Sequence, residues 1–110
     1  MTKKNLPLCP VSRTAFIIGS RWTSEIIREL VDHGVRRFSD LQESLSGIAP
    51  NTLSNRLKML EDHGVIERRI YDTHPPRSEY HLTEKGSKMR PIIDAMRTWG
   101  RHTDGPSQNS

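Results

Sequence analysis

A mainly α-helical domain closed by one small antiparallel β-hairpin is the fold class the sequence predicts, on three observations. Apolar residues recur at helical spacing in successive segments, each bounded by Gly, Pro or a Ser/Thr cap. One stretch, from Val65 to Leu82, changes to a period of two and is interrupted by Pro75-Pro76. The chain has 110 residues, which is room for one domain.

Each element has a local cause. Cys9-Pro10 opens the first helix, because proline at the first helical position lacks only an N–H that would be unpaired anyway. Phe16, Ile17 and Ile18 follow, and Gly19 closes it. Ser20 caps a second helix from about Arg21 to His33, with Trp22, Ile26, Ile27, Leu30 and Val31 on one face and Gly34 as its stop. Ser39-Asp40-Leu41-Gln42 reads as a capping box that starts a short helix through Leu45, and Gly47 breaks it. Pro50 starts the next, carrying Leu53, Leu57 and Leu60 on helical spacing until Gly64. Asp-His-Gly-Val at 32–35 and 62–65 reads as one stop signal used twice.

In the strand region Ile66, Arg68 and Ile70 alternate with Glu67, Arg69 and Tyr71, and Ser78–Leu82 returns. Pro75 and Pro76 cannot donate to a ladder, so both are expected at the loop tip. Thr83 caps a last helix carrying Met89, Ile92, Ile93, Met96 and Trp99, in which Pro91 either makes a kink or marks the true start. Residues 1–8 and 102–110 read as flexible tails around a domain at 9–101.

Composition narrows the function. Seventeen Lys+Arg against thirteen Asp+Glu give +4, which favours an acidic partner, nucleic acid first. No apolar run approaches the roughly 20 residues that span a bilayer, so no membrane is expected. The single cysteine excludes an internal disulfide framework and fits a reducing cytoplasm. No paired carboxylates or nucleophile–base arrangement suggest an enzyme. A metal held by Cys9 with His33, His63 or His81 lacks any ligand spacing, so neither metal nor cofactor is expected.

A short capped helix, a tight glycine turn, an amphipathic helix and a proline-tipped hairpin, in that order, make a winged helix-turn-helix. With Leu53, Leu57 and Leu60 on the core face, Asn51, Asn55, Lys58 and Asp62 point outward. Thr52 and Ser54 flank them, and Arg56, nearer the core edge, is a further candidate DNA contact. That outward half holds amides, hydroxyls and a cation, with no carboxylate before Glu61. A helix entering the major groove of duplex DNA needs such groups: Asn for adenine, Lys for guanine or phosphate, hydroxyls for either. An ordinary solvated face carries the same residue types, so composition alone does not choose. Arg77 is the first candidate for a phosphate contact from the hairpin, with His74, Arg68 or Arg69 beside it and Arg36 and Arg37 before the short helix.

The chain resembles the HxlR-type family of winged-helix transcriptional regulators, related in fold to the MarR group. The resemblance is carried by Cys9-Pro10-Val11, Ile18-Gly19-x-x-Trp22, Arg37-Phe38-x-x-Leu41 and Gly47-Ile48. It continues through Leu53-Ser54-x-Arg56-Leu57-x-x-Leu60-Glu61 and Gly64-Val65-Ile66-x-Arg68. Pro75-x-Arg77-x-x-Tyr80-x-Leu82-Thr83-x-x-Gly86 and Trp99 complete it, so that it covers about residues 9 to 100. It implies a prokaryotic, dimeric DNA-binding regulator with residues 50–62 as recognition helix and 71–78 as wing. The first and last helices would form the homodimer interface.

Composition points the same way. Phe16, Ile17 and Ile18 with the Ile92/Ile93/Met96/Trp99 stripe exceed what a small domain can bury, unless both stripes pack on its own core. A two-fold dimer predicts a pseudo-palindromic operator. The resemblance further implies a sensing role for Cys9, since some members detect electrophiles or oxidants through a cysteine at this position. A helix start near Lys3, Lys4 and Arg13 would favour the thiolate. With one cysteine per chain, sensing would need an intersubunit disulfide, a small-thiol cap or alkylation. The competing reading is a winged-helix protein–protein adaptor, which would not need the acid-free outward face. Salt separates the two, because duplex binding weakens steeply as counterions accumulate.

Overall fold

Arg21–His33 (α2) is the axis on which the other elements assemble. Ser20 accepts a hydrogen bond from the Thr23 amide at 3.2 Å, and Ile26, Ile27 and Leu30 are fully buried. The computed structural model describes residues 6–103; the rest of the expected tails, with Lys3 and Lys4, lies outside them. Pro10–Ile18 (α1) precedes α2 with Cys9 at its N-cap and proline at its start. Leu6 packs against the core, and Arg13 donates to the carbonyls of Pro7 and Leu8, both at 2.9 Å.

The two Asp-His-Gly-Val segments end helices as expected. Gly34 and Gly64 adopt φ of +86° and +74°, where side chains are strained, and their amides close the final turns. Between them lie Val35–Arg37 (β1), Phe38–Ser44 (α3) and Pro50–Asp62 (α4). The capping box does not sit at Ser39. Arg37 is the N-cap, and Asp40, three residues on, accepts the Arg37 amide at 2.9 Å. The shift follows from β1, a strand the sequence reading lacked: it holds the chain extended up to Arg37.

Ile66–Thr73 (β2) and Pro76–Leu82 (β3) form the hairpin, and β1 adds to its other edge in the order β1-β3-β2, all antiparallel. Val35 pairs with His81 and Arg37 with Glu79, while Ile66 pairs with Leu82 and Arg68 with Tyr80. The register shifts between Ile70 and Asp72, leaving Tyr71 as the extra residue of a bulge. Pro75 lies in the tip as expected, but Pro76 is the first residue of β3, a strand position where a missing donor is tolerated.

Thr83 does not cap the last helix. It caps Glu84–Ser87 (α5), accepting the Gly86 amide at 3.0 Å, and its hydroxyl donates to the Gly64 carbonyl at 2.6 Å. The last helix, Arg90–Arg101 (α6), begins separately with Pro91 in its first turn. Pro91 therefore marks a start and makes no kink. α6 lies against α2, where Arg97 Nη2 reaches both Asp32 oxygens at 3.1 Å and Ile93 enters the core. Among the described residues no helix is long and apolar enough to cross a membrane.

Candidate nucleic-acid interface

α4 divides into the two faces its leucine spacing demands. Leu53, Leu57 and Leu60 are buried at 2% exposure or less, whereas Asn51, Ser54, Asn55 and Lys58 are exposed and Thr52 is half-buried. Proline at the start, no side-chain cap and no acid in the first turn leave the helix's positive end uncovered by its own residues. Lys58 Nζ lies 3.9 Å from Asp62, one turn on, in a pair so exposed that it restrains the ammonium little. At the other end Lys85 Nζ donates to the His63 carbonyl at 2.8 Å and so anchors the last turn. Arg56 leaves the outward face. It is half-buried toward α1 and the start of α2, with its Nε out of solvent.

The hairpin arginines have different fates. Arg77 is exposed and shares a cleft of about 340 Å³ with Arg37, Phe38, Ser39, Tyr71 and Ser78. The Arg37 guanidinium carbon stands 5.8 Å from the Tyr71 ring centre, a loose cation–π contact. Two cations, two hydroxyls and a phenol thus converge between the start of α3 and the wing. Neither the convergence nor the part of Tyr71 was legible in the sequence, since both depend on the bulge and on β1. Arg69 meets Glu67 at 3.3 Å in an exposed pair. Arg68 lies across from Tyr80, whose phenol is pushed above its ordinary pKa by burial, an effect the Arg68 charge opposes. Arg36 is not available to an external partner: it donates to buried Glu29 at 3.0 and 3.2 Å and to Ser44 at 2.9 Å.

The two apolar stripes are split. Ile17, Ile18 and Ile93 belong to the chain's own core, and Ile92 packs half-buried against it. Phe16, Met96 and Trp99 remain 59%, 46% and 73% exposed. The Phe16 and His63 rings form a T-shaped pair with their centres 6.0 Å apart.

Cys9 is exposed at the N-cap of α1. The Ser12 amide, then its hydroxyl, then the Val11 amide hold the thiol below its ordinary pKa, with Arg13 the weakest contribution. Among the described residues no group of three or more His, Cys, Asp or Glu side chains could hold a metal ion.

Comparison with known proteins identifies the family and the fold. A family model described as HxlR-like helix-turn-helix matches residues 17–108. A relative from Methanothermobacter thermautotrophicus, described as an uncharacterized HTH-type transcriptional regulator, is 39% identical over 103 residues, covering 94% of this chain and 78% of the relative. A regulator from Porphyromonas gingivalis W83, assigned to the MarR family, superposes with a TM-score of 0.81 at 34% identity, over 88% of this chain and 94% of its own. The oxidized form of the redox regulator HypR gives a TM-score of 0.81 at 33% identity, over 88% of this chain and 99% of its own.

Proposed function

The chain belongs to the HxlR-like helix-turn-helix family and is a transcriptional regulator of that type, and from this premise we propose that it acts as a homodimer on a pseudo-palindromic duplex operator. The observation that carries the reading is the outward face of α4. Its exposed Asn51, Ser54, Asn55 and Lys58 stand over a fully buried leucine face, with no carboxylate before Glu61. These four, with Thr52, read bases or their flanking phosphates in the major groove. Arg77 and Arg37 take backbone phosphate from the wing side, and Arg69, only weakly held by Glu67, adds to the positive field. Phe16, Met96 and Trp99, continuous with Ile17, Ile92 and Ile93 beneath them, join the two protomers.

Cys9 tunes this activity by reacting with an oxidant or electrophile. Support comes from its exposed, electronically activated thiol and from the likeness to HypR, which is described as a redox regulator. Footprinting on the DNA upstream of the chain's own gene and its divergent neighbour tests the main reading. A protected, two-fold related site of about two helical turns is expected. Uniform weak protection at every sequence would refute it. Cys9→Ser responding to diamide as the wild type does would remove the sensing role alone.

A further inference from the structure

Tyr71, the extra residue of the β2 bulge, is 44% exposed and lines the cleft between the wing and the start of α3. Across that cleft it meets Arg37, whose guanidinium carbon lies 5.8 Å from the ring centre. The Arg37 backbone is fixed twice, by the Asp40 carboxylate on its amide at 2.9 Å and by its place opposite Glu79 in the β1–β3 register. Its side chain is exposed and long, and only the ring restrains it. Among the described residues Arg37 makes no ion pair with Glu79, in contrast to Arg36 with Glu29 and Arg69 with Glu67. Its charge is therefore left for an outside anion, as is that of Arg77 on the other wall. Among the described residues no acid lines the cleft of about 340 Å³ that the two arginines share with Ser39 and Ser78.

We propose that this cleft seats a single backbone phosphate of duplex DNA, taken by Arg37 from the α3 wall and by Arg77 from the wing wall, and that Tyr71 is the residue that positions Arg37 for it. A backbone phosphate presents two free oxygens, and each can accept from one guanidinium fork. Ser39 and Ser78 bring hydroxyl donors to the same place. A long exposed side chain loses rotamer freedom when it binds, and a ring that already restrains the guanidinium lowers that loss. The ring brings no charge of its own, so Tyr71 acts only through Arg37. This seat presupposes the duplex reading of α4 and adds to it a contact that fixes register without reading a base.

The test uses the full chain and duplex DNA from immediately upstream of its own gene. Fluorescence anisotropy at several salt concentrations reads affinity, and ethylation interference maps the phosphates that matter. One phosphate per half-site should block wild-type binding when ethylated and cease to matter in both Arg37→Ala and Arg77→Ala. Each of these variants should lower the slope of log K against log salt by about 1, and the double variant by about 1 as well, because the two arginines hold one phosphate. Tyr71→Leu should weaken binding about twofold to fivefold, the worth of an exposed cation–π contact. That loss should shrink as salt rises and vanish in an Arg37→Ala background. Tyr71→Phe, which keeps the ring, should bind as the wild type does. The proposal is overturned if the arginines answer to two different phosphates, if their slope losses add to about 2, or if Tyr71→Phe fails as Tyr71→Leu does. It is also overturned if the Tyr71→Leu loss is the same at every salt or persists without Arg37. A wild-type chain with no duplex affinity would sink the α4 reading and the seat together. An Asn55→Ala chain that relaxes base preference while Tyr71→Leu matches the wild type would remove the seat alone.

Discussion

Glu29 and Arg36 meet as a buried carboxylate under a guanidinium: Nη2 donates to Oε1 at 3.0 Å and Nε at 3.2 Å, with Glu29 only 5% exposed. Because Nη2 also reaches Ser44, one side chain ties α2, β1 and the end of α3 together. Arg36→Ala is therefore a stability change. It should lower the unfolding free energy in urea by about 2–3 kcal/mol, less than the roughly 3–5 of a fully buried pair. The discount reflects the partial exposure of Arg36 and the presence of Arg28 at 3.4 Å from the same carboxylate. Duplex affinity measured on the folded variant should keep its salt slope. A lowered slope with unchanged stability would mean that Arg36 contacts phosphate after all.

Asn55 and Arg77 should fail in different ways. Asn55→Ala should cost about 1–3 kcal/mol on the operator and relax base preference at one position of each half-site. Arg77→Ala should weaken every sequence alike and reduce the slope of log K against log salt by about 1. Fluorescence anisotropy on the operator and on single-base variants, at several salt concentrations, separates the two. An unchanged preference in Asn55→Ala would mean that the wrong face of α4 has been assigned.

What was readable in the sequence was what depends on residues three to four apart. The leucines of α4, the Ser20 cap and the two glycine stops are local, and each lies where its spacing placed it. What was not readable depends on distant partners. β1 is three residues long with no pattern of its own and exists because β3 offers an edge. Once β1 extends the chain to Arg37, the capping role passes from Ser39 to Arg37 with Asp40. Thr83 looked like the cap of a long helix. Its hydroxyl is shared with the Gly64 carbonyl across the fold, and Pro91 begins a second helix instead. Likewise the cleft between Arg37 and Arg77, and the burial of Arg56 Nε, arise only from tertiary placement.

The joint at Thr83 and Gly86 has no slack. A Cβ on Gly86 would stand 2.0 Å from the Val65 carbonyl oxygen, which itself accepts the Thr83 amide at 3.1 Å. Gly86→Ala should destabilise by about 1–3 kcal/mol or more, since backbone must move. Gly100→Ala, in α6 with nothing within 4 Å of the new carbon, should instead stabilise by about 0.5–1 kcal/mol. Thermal melts of both variants test the contrast, and equal shifts of either sign would contradict it.

The Cys9 thiol titrates below its ordinary value because the Ser12 amide, first, and the Ser12 hydroxyl favour the anion. Thiolate grows as pH rises, so a lowered pKa moves the midpoint of the alkylation rate to lower pH and speeds reaction near neutrality. With iodoacetamide, the folded chain should reach half-maximal rate at lower pH than the same chain in urea, where an ordinary thiol titrates near about 8.5. Ser12→Ala keeps the amide and loses the hydroxyl, so its midpoint should rise only part of the way. Coincident profiles for folded and unfolded chain would show that the helix start does not activate the sulfur.

Trp99 and Ile93 lie on the same helix, six residues apart, and stand 73% and 4% exposed, so they should separate association from folding. Ile93→Ala opens a cavity between α6 and α2 and should cost about 2–5 kcal/mol of stability, whether or not a partner is present. Trp99→Ala removes a ring that is already 73% exposed in the protomer, so its monomer should melt close to wild type. If α1 and α6 join two protomers, a large aromatic anchor is where the association energy concentrates, and its loss of about 2 kcal/mol or more raises the dimer dissociation constant at least about thirtyfold. Sedimentation across a concentration series reads that shift directly. Operator affinity should fall with it, because two half-sites are held together only when two recognition helices arrive as one body. A Trp99→Ala chain that still sediments as a dimer would move the interface elsewhere, and a wild-type chain that binds its operator as a monomer would remove the reason for the two-fold site.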